Sequence, residues 1–190
     1  MGSRPPIWWV DPVTTDSKEE AFVKAQRQHA GSSQTKQSME VSSWYISGFV
    51  DGEGSFFVSF SLREKLKIGV EVRPSFAVAQ HKRSKEVLKR LQNYFGCGAI
   101  RFNKRDQTYK YEVRSLDDLI KKIIPHFEQY PLVTSKHNDF ETLRDICHRM
   151  KDNQHKTVKG IKQIIHKAYM MNNIGARRYT KDQLLKVVGR

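Results

Sequence analysis

Two carboxylates and two glycines meet at a tight corner of the chain, within WYISGFVDGEGSFFVSF at residues 44–60. The first half has the spacing of a short helix that Ser42 or Ser43 can cap, and the second half alternates like a strand. Asp51 and Glu53 fall at the end of the helix, where the negative end of its dipole disfavours an acid. A divalent cation would compensate, because Mg²⁺ takes one or two carboxylates with water and phosphate oxygens.

Gly48 and Gly52 lie four residues apart, so both face the same side of the predicted helix. Without side chains there, a second helix can approach closely, which would justify the roughly 1 kcal/mol that a glycine costs inside a helix. A twofold dimer through this stripe would pair two copies of the acid, an arrangement suited to metal-assisted phosphodiester hydrolysis. The alternative, compatible with the first, is that Gly52 and Gly54 simply end the helix and turn the chain.

The chain carries a large positive excess, which bears on its partners rather than on its fold. Its 190 residues include 34 Lys and Arg against 20 Asp and Glu, for a formal net charge of +14. Nucleic acid is the leading polyanion for such a chain, and acidic lipid is the second. A hydrophobic content of 38% is typical of a folded domain rather than of a basic disordered tail. The remaining alternative is a solvated basic surface without a partner.

Several classes of protein find no support in the sequence. Cys97 and Cys147 lack neighbours at zinc-ligand spacing, apart from the adjacent His148, so we expect free thiols in a reducing compartment. No apolar run approaches membrane-spanning length, and the N-terminus lacks the long apolar segment of a secretory signal. We expect two regions, an extension at 1–40 that is flexible or peripheral and a domain at 41–190.

Apolar periodicity predicts an α+β domain in the order α-β-β-α-β-β-α, followed by further helices. Apolar and polar residues alternate over residues 56–63 and 67–78, and two shorter strands, AIRFN and YKYEVR, follow. Pro74 interrupts the second run and predicts a bulge or an unpaired position. Pro125 is expected to stop the helix SLDDLIKKIIPHFEQY. The helices should gather on the apolar face of a four-stranded sheet.

The other face of the predicted sheet mixes hydrogen-bonding and basic side chains. Arginine can reach guanine acceptors, asparagine and serine can pair with bases or phosphates, and glutamate can accept from cytosine. We therefore predict base contacts from this face, with an ordinary solvated sheet face as an equal alternative. The predicted contacts are Phe57, Ser59, Ser61, Arg63, Lys67, Glu71, Arg73, Ser75, Arg101, Asn103, Lys110 and Glu112. A basic C-terminal segment that includes Arg177 predicts phosphate contacts, or else a frayed tail.

The sequence ISGFVDGEG at residues 46–54 resembles the motif of the LAGLIDADG homing endonucleases. The serine and the strand that usually follow the motif are present, and AVAQHKRSKEVLKRLQNYFG and IIPHFEQYPLVTSKHNDF also resemble the family. The resemblance covers roughly residues 41–150 and does not reach the first 40. It implies an αββαββα fold with an antiparallel four-stranded saddle sheet, helices on one face, and site-specific cleavage of double-stranded DNA.

The resemblance also implies roles for single residues. Glu53 occupies the position of the metal-binding acid, and the carbonyl of Gly52 can also contact the metal, which we expect to be Mg²⁺. Gln80 matches a polar residue near the scissile phosphates. Basic residues nearby usually stabilise charge or organise water, and Lys136 is the first candidate, with Arg83 as a weaker one.

A single copy of the motif implies a homodimer, since family members with two copies act as pseudosymmetric monomers. The motif helices then form the interface, for which Ile46, Gly48, Phe49 and Gly52 are the candidates. The sheets would form a saddle over a long pseudo-palindromic DNA site and cut it across the minor groove, leaving 3′ overhangs. Such proteins are often encoded in group I introns of organelles, phages or archaea, so we expect an intracellular protein of a chloroplast or mitochondrion.

Other functions remain open at this point. The fold also supports binding without cleavage, as in an RNA maturase that helps its own intron to splice or in a DNA-binding regulator. Glu53 favours the nuclease because a binder has no need of that acid. One position departs from the family pattern, since Ser84 stands where the family has an arginine, and this weakens the roles assigned to the basic residues. A basic membrane-surface protein is disfavoured, since the sequence lacks a strongly apolar amphipathic helix with basic flanks.

Overall fold

The computed structural model describes residues 42–171 and 177–188, so the predictions for residues 1–40 lie outside the described residues. The elements in chain order are α1 (Ser43–Glu53), β1 (Gly54–Leu62), β2 (Val70–His81), α2 (Lys85–Phe95), β3 (Ala99–Asn103), β4 (Thr108–Val113), α3 (the consecutive segments Leu116–Asp118, Leu119–Ile123 and Ile124–Gln129), α4 (Lys136–Lys151), α5 (Val158–Ala168) and α6 (Lys181–Val187). Within these ranges, no helix is long and apolar enough to cross a membrane.

Helix α1 turns directly into strand β1 without a loop. Ser42 caps the start of the helix, where its side-chain oxygen accepts a hydrogen bond from the backbone N–H of Tyr45 at 3.2 Å. At the other end, a Cβ on Gly54 would lie 2.5 Å from Cγ1 of Val50 and 2.7 Å from its carbonyl oxygen. The helix-to-strand turn therefore requires glycine at position 54, whereas Gly52 has open space around it.

The sheet has the strand order β1-β2-β4-β3, so β1 and β3 are its edges. Strands β1 and β2 are antiparallel and pair in one unbroken register. Pro74 lies opposite Val58 in this ladder with no inserted residue, so there is no bulge. The ladder between β2 and β4 begins only at Phe76, and Pro74 has no partner on that side. Of the two alternatives for Pro74, the unpaired position is the one found.

The apolar face of the sheet packs against the helices around a cluster of aromatic rings. Phe56 of β1 lies at its centre, with ring centroids 5.3 Å from Phe76, 5.4 Å from Phe127 and 5.5 Å from Phe140. All four side chains are buried. Rings of this size in edge contact dominate the energetics of a core, and here they join β1 and β2 to α3 and α4. The helices thus cover one face of the antiparallel sheet, which confirms the predicted α+β layers.

Helix α3 departs from the prediction that Pro125 would end it. Leu119–Ile123 form a π-helical turn, and Ile124–Gln129 return to α-helix, so the helix continues past the proline. In a regular α-helix the proline ring would clash with the carbonyl of Lys121, four residues earlier. The wider π turn immediately before the proline relieves this conflict, and the predicted stop was wrong.

Arg177 fastens the C-terminal helices to the edge of the sheet. Its guanidinium donates to the carbonyl of Val58 in β1 at 3.2 Å and to those of Ala168 and Met171 at 2.5 and 2.9 Å. Its Cζ also lies 4.5 Å from the ring centroid of Tyr169. Because the guanidinium is engaged inside the protein, the phosphate contact predicted for Arg177 conflicts with the structure.

Candidate functional site

The corner between α1 and β1 presents one free carboxylate. Glu53 is the last residue of α1, and its side chain is exposed. Among the residues that the structure describes, none forms a hydrogen bond or an ion pair with it. The preceding Gly52 is exposed as well, so this end of the helix is open to solvent.

The ammonium group of Lys136 lies at the end of the same helix. Its Nζ donates to the carbonyl oxygens of Gly52 at 2.6 Å, Asp51 at 2.8 Å and Val50 at 3.4 Å. Carbonyls of the last helical turn lack partners within the helix and carry the negative end of its dipole. The helix end that was predicted to need a cation therefore receives one from the chain itself.

Asp51 belongs to the structural part of the corner. Its carboxylate accepts hydrogen bonds from the backbone N–H of Val133 at 2.9 Å and from the N–H and hydroxyl of Thr134 at 3.1 and 2.5 Å. Burial acts to raise the pKa of Asp51, but these bonds and the charge of Lys136 outweigh it and lower the pKa. Asp51 thus ties the residues just before Lys136 to α1.

The donors that would hold Mg²⁺ are the Glu53 carboxylate and the Gly52 carbonyl. Both are hard oxygen ligands of the kind that Mg²⁺ prefers, and the hydrogen bond from Lys136 at 2.6 Å engages one of the two lone pairs of the Gly52 carbonyl. In the part of the chain that the structure describes, no three or more His, Cys, Asp and Glu side chains group to hold a metal. At this corner the described residues offer a single free carboxylate, which fits a metal shared between two copies better than one enclosed by a single chain.

The register of the sheet carries Gln80 toward this corner. Gln80 is the next-to-last residue of β2 and lies two residues beyond Val78, which pairs with Gly54. It therefore lies at the sheet end where Glu53 leaves α1. Arg83 follows in a short 3₁₀ turn and is exposed, and its side chain forms no hydrogen bond or ion pair with the described residues.

Most of the predicted base contacts lie together on the open face of the sheet. Its exposed and half-buried members are Phe57, Ser59, Ser61, Arg63, Glu71, Arg73, Arg101, Asn103 and Lys110. The ammonium of Lys110 lies 5.0 Å from the ring centroid of Phe57, a cation–π contact that joins β4 to β1 across the face. Lys67 differs, because it lies in the turn between β1 and β2.

Ser75 and Glu112 lie on the same face but are buried, with relative exposures of 1% and 9%. Ser75 donates to Oε1 of Glu112 at 3.1 Å, and Lys110 and Arg114 pair with the same carboxylate at 2.8 and 2.9 Å. Burial acts to raise the pKa of Glu112, but the two cations and Ser75 lower it. The base contacts predicted for Ser75 and Glu112 conflict with this burial, because both side chains are engaged within the face.

A second carboxylate of the open face is held in the same way. Oε2 of Glu71 accepts from Nη2 of Arg73 at 2.8 Å and from Nε of Arg63 at 2.9 Å. These two hydrogen bonds are the main reason that the pKa of Glu71 is lowered. Glu71 and Glu112 therefore each pair with two cations, so these two clusters leave a net positive charge on the face.

The outward side of α1 carries the two glycines and three aromatic side chains. Nothing lies within 4 Å of a Cβ placed on Gly48 or Gly52, so the described protein leaves this stripe open. Trp44 and Tyr45 are 60% and 51% exposed. The half-buried Phe49 stacks on Tyr45 with ring centroids 6.1 Å apart. The stripe therefore offers a second helix both a close approach and apolar surface.

Ile46 does not share this surface, although it was predicted for the same interface. It is 0% exposed and lies in the core with Val50, which is four residues later and also fully buried. Gly48 is two residues from Ile46 and so faces away from it on the helix. The prediction for Ile46 was wrong. Trp44, which precedes Gly48 by one helical turn, was missed even though its spacing indicated the exposed side.

A buried histidine behind α1 was also missed. Nε2 of His126 lies 3.2 Å from Oγ of Ser47, and Nδ1 lies 3.0 Å from the hydroxyl of Tyr94. Ser47 in turn donates to the carbonyl of Tyr130 at 2.7 Å. Burial lowers the pKa of His126 to about 4, so its ring is neutral near pH 7. The network ties the buried Ser47 of α1 to α2 through Tyr94 and to α3 through His126.

The sequence model of the LAGLIDADG endonuclease family matches residues 46–147, which is more than half of the chain. The chain belongs to this family. The predicted resemblance is confirmed, and the match runs from α1 into α4. The "Probable intron-encoded endonuclease 2" of Neurospora crassa is 33% identical over 146 residues, which are 76% of this chain and 32% of that protein. The chain therefore spans about a third of that relative's length.

Solved structures share the fold over most of the described domain. The homing endonuclease I-TnaI superposes with a TM-score of 0.69 at 36% identity, covering 78% of this chain and 97% of that one. The archaeal intron-encoded homing endonuclease I-Vdi141I, solved in complex with DNA, gives 0.70 at 28% identity and covers 76% and 92%. The predicted LAGLIDADG fold, with its antiparallel four-stranded sheet and helices on one face, is confirmed.

Proposed function

We propose that this protein is a site-specific endonuclease of the intron-homing type that cuts double-stranded DNA. The observation that carries the proposal is the exposed and unpaired carboxylate of Glu53 next to Gly52, with the ammonium of Lys136 at the same helix end. A protein that only bound nucleic acid would gain nothing from an unpaired acid at the end of a basic sheet. Membership of the LAGLIDADG family and similarity to I-TnaI support the same activity.

The open face of the sheet supports duplex DNA as the substrate. Cationic and hydrogen-bonding side chains share this face, and the whole chain has a formal net charge of +14. The cations provide attraction to phosphates that does not depend on sequence, while arginine, asparagine and serine can contact base edges. The similar structure of I-Vdi141I, which contains DNA, supports this partner.

The single free carboxylate that the described residues leave at the corner supports a homodimer. A twofold axis beside Gly48 and Gly52 would let two α1 helices cross closely and bring two copies of Glu53 together. Trp44, Tyr45 and Phe49 would supply apolar contact area around the crossing. Two identical sheets related by this axis would read a long pseudo-palindromic site.

Each residue of the corner has a separate role in the proposed cleavage reaction. Bound by Glu53 and Gly52, Mg²⁺ would supply Lewis-acid stabilisation of a phosphoryl oxygen. Lys136 places a positive charge beside the same helix end, where it can stabilise negative charge that develops on the phosphate. Gln80 offers an amide that can orient water or a phosphate oxygen. One corner acts on each strand, and the cuts are staggered across the minor groove with 3′ overhangs.

The names of the relatives support an origin within an intron. The Neurospora crassa relative is named as intron-encoded, and I-Vdi141I is described in the same way. We place this protein inside the cell, in the chloroplast or mitochondrion whose genome would carry the intron. There it would cut copies of the gene that lack the intron.

Cleavage of a random-site plasmid library tests the proposed function. Full-length protein is incubated with the library at about 10 mM Mg²⁺, a level that saturates weak carboxylate sites. Parallel reactions contain Ca²⁺ instead of Mg²⁺, the Glu53→Gln variant, and Glu141→Gln as a control that removes an acid from the helical layer. Discrete cuts that require Mg²⁺, persist in Glu141→Gln and vanish in Glu53→Gln would support the nuclease. Binding without cutting in every reaction would overturn it in favour of a non-cleaving binder, with intron RNA as the next ligand.

A further inference from the structure

Two arginines on the open face pair with carboxylates at their Nε atoms, Arg63 through a hydrogen bond and Arg114 through an ion pair. Nε of Arg63 lies 2.9 Å from Oε2 of Glu71, and Nε of Arg114 lies 2.9 Å from Oε2 of Glu112. No other side-chain bond of either guanidinium occurs among the described residues. Both side chains are 55% exposed, so their terminal amines face solvent.

A guanidinium anchored at Nε keeps both of its Nη groups available. Two parallel N–H donors of one arginine match O6 and N7 of guanine in the major groove, and this is the commonest specific contact between proteins and DNA. Arg73 differs because it binds Glu71 through Nη2 at 2.8 Å, which engages one of the terminal amines. Arg63 and Arg114 are therefore the two arginines of this face that pair with an acid and still keep both terminal amines available, whereas the exposed Arg101 pairs with no acid among the described residues.

The two carboxylates are themselves fixed. Glu112 has a side chain that is 8% exposed and is held by Ser75 at 3.1 Å and by Lys110 at 2.8 Å. Glu71 is held by Arg73, which donates to the same Oε2 at 2.8 Å. An arginine tied to such a support loses less rotamer freedom when it meets a base, so its contact with DNA is preorganised.

We propose that Arg63 and Arg114 each recognise a guanine in the DNA half-site and that Glu71 and Glu112 position them. The inference rests on the proposed function and replaces the expectation that these acids accept from cytosine. Arg63 comes directly after β1, at the hairpin to β2, and its backbone N–H donates to the carbonyl of Gly69. Arg114 comes directly after Val113, the β4 residue that pairs with Phe76 of β2. About six residues of β2 separate these points, roughly 20 Å along the strand. The two guanines should therefore be distinct positions several base pairs apart.

Selection of bound sequences from a randomised duplex DNA library tests this assignment. The full chain with Glu53→Gln is the parent, so that cutting does not interfere with binding. The parent should enrich two guanines per half-site. Arg114→Lys should lose one of them, with discrimination at that position falling by roughly 5- to 150-fold, because lysine cannot make the paired contact. Glu112→Gln should weaken the same position and add nothing further in the Arg114→Lys background.

The pair Arg63→Lys and Glu71→Gln should act in the same way on the other guanine. These side chains are more exposed than Glu112, so the second pair answers the question even if Glu112→Gln folds poorly. Arg149→Lys is the matched control, since Nε of Arg149 pairs with Asp145 at 2.8 Å within the helical layer. It should leave the enriched sequence unchanged.

The possible outcomes distinguish a failure of the proposed guanine contacts from a failure of the proposed endonuclease function. An enriched sequence that keeps both guanines in the lysine variants would overturn the inference and leave the nuclease intact. Glutamine variants that weaken all positions equally would overturn the positioning role of the acids. A parent that enriches no sequence would overturn the proposed function and the inference together.

Discussion

Lys136 and Gly52 meet across 84 positions of sequence, with the lysine Nζ 2.6 Å from the glycine carbonyl oxygen. The contact closes the end of α1 immediately before Glu53, the candidate metal-binding acid. The same ammonium is therefore both a helix cap and a group poised beside the proposed reaction. A cap contributes to stability whether or not substrate is bound, whereas a catalytic charge acts on the rate of cleavage, so the two roles can be measured separately.

Replacing Lys136 with methionine should lower both the free energy of unfolding and the rate of cleavage. Loss of a charge at a helix C-terminus should reduce the free energy of unfolding by about 1 kcal/mol. Loss of a preorganised positive charge should slow cleavage by about 100-fold or more, with DNA affinity little changed. Denaturant unfolding, single-turnover cleavage and binding to the selected site provide the three measurements.

Lys159→Met is the matched control for this change. Lys159 is exposed on α5, and its replacement removes the same charge from the helical layer. It should leave both stability and cleavage close to those of the unmodified protein. If Lys136→Met cleaved as fast as this control, Lys136 would be a structural cap alone.

Asp51→Asn should loosen the residues that carry Lys136. Asparagine keeps one oxygen that can accept from the exposed N–H groups of Val133 and Thr134, but it loses the negative charge that strengthens these bonds and attracts Lys136. We expect a loss of about 1 kcal/mol in unfolding free energy. Cleavage should also fall, and the double variant with Lys136→Met should lose less than the sum of the two single losses.

The dependence of unfolding free energy on pH at acidic values, the acid limb of the pH–stability curve, gives a second test of Asp51. Because its pKa is lowered in the folded state, its stabilising contribution is present above the unfolded-state pKa of about 3.9 and is lost as pH falls through the folded-state pKa. Asp51→Asn should lack this part of the acid sensitivity. Asp117→Asn, which breaks an exposed pair with Lys121, should keep it. Identical acid limbs for the two variants would contradict the assignment.

Local signals in the sequence were enough to predict the backbone of the domain. Ser42 before an apolar run, glycine after α2 and alternation in the strands each act over a few residues, and the helices and strands follow them. The motif corner is of this kind, because the turn into β1 depends on the contact between Gly54 and Val50. The exception was Pro125, where a π turn absorbed a residue that normally ends a helix.

The contacts that complete the site could not be predicted in the same way. Lys136 reaches carbonyls up to 86 positions away, and Ser47 meets His126 across 79 positions. Neither pair belongs to a periodic pattern, so composition and spacing carry no sign of them. The burial of Glu112 was hidden for a related reason, since alternation placed it on the open face but did not reveal the cations around it.

Gly48→Leu should abolish dimerisation while leaving the folded chain intact. Nothing lies within 4 Å of a Cβ at this position, so the single chain can accommodate the side chain, and leucine favours the helix by close to 1 kcal/mol over glycine. A second α1 could no longer approach closely. Sedimentation velocity should show a monomer, circular dichroism should show that the chain is still folded, and cleavage should disappear.

Arg90→Leu controls for the added hydrophobic surface, because Arg90 is exposed and belongs to α2 rather than to α1. It should remain dimeric and active. A dimer that survives Gly48→Leu with full cleavage would place the interface elsewhere on the protein.

The buried His126 should make stability depend on pH between 7 and 5. Its pKa is about 4 in the folded protein and about 6.5 when unfolded, so the unfolded chain binds a proton that the folded one excludes. Stability from this group is therefore complete above about pH 6.5 and declines as pH falls toward 4, by about 2 kcal/mol at pH 5. His126→Gln can keep the hydrogen bond to Ser47 but cannot take up the proton, so it should lose less stability between pH 7 and 5 than the unmodified protein. Denaturant titrations at pH 7 and pH 5 measure this decline in unfolding free energy. His166→Gln, an exposed change on α5, is the control and should show the full decline. Equal declines in all three proteins would show that His126 takes up protons freely in the folded state.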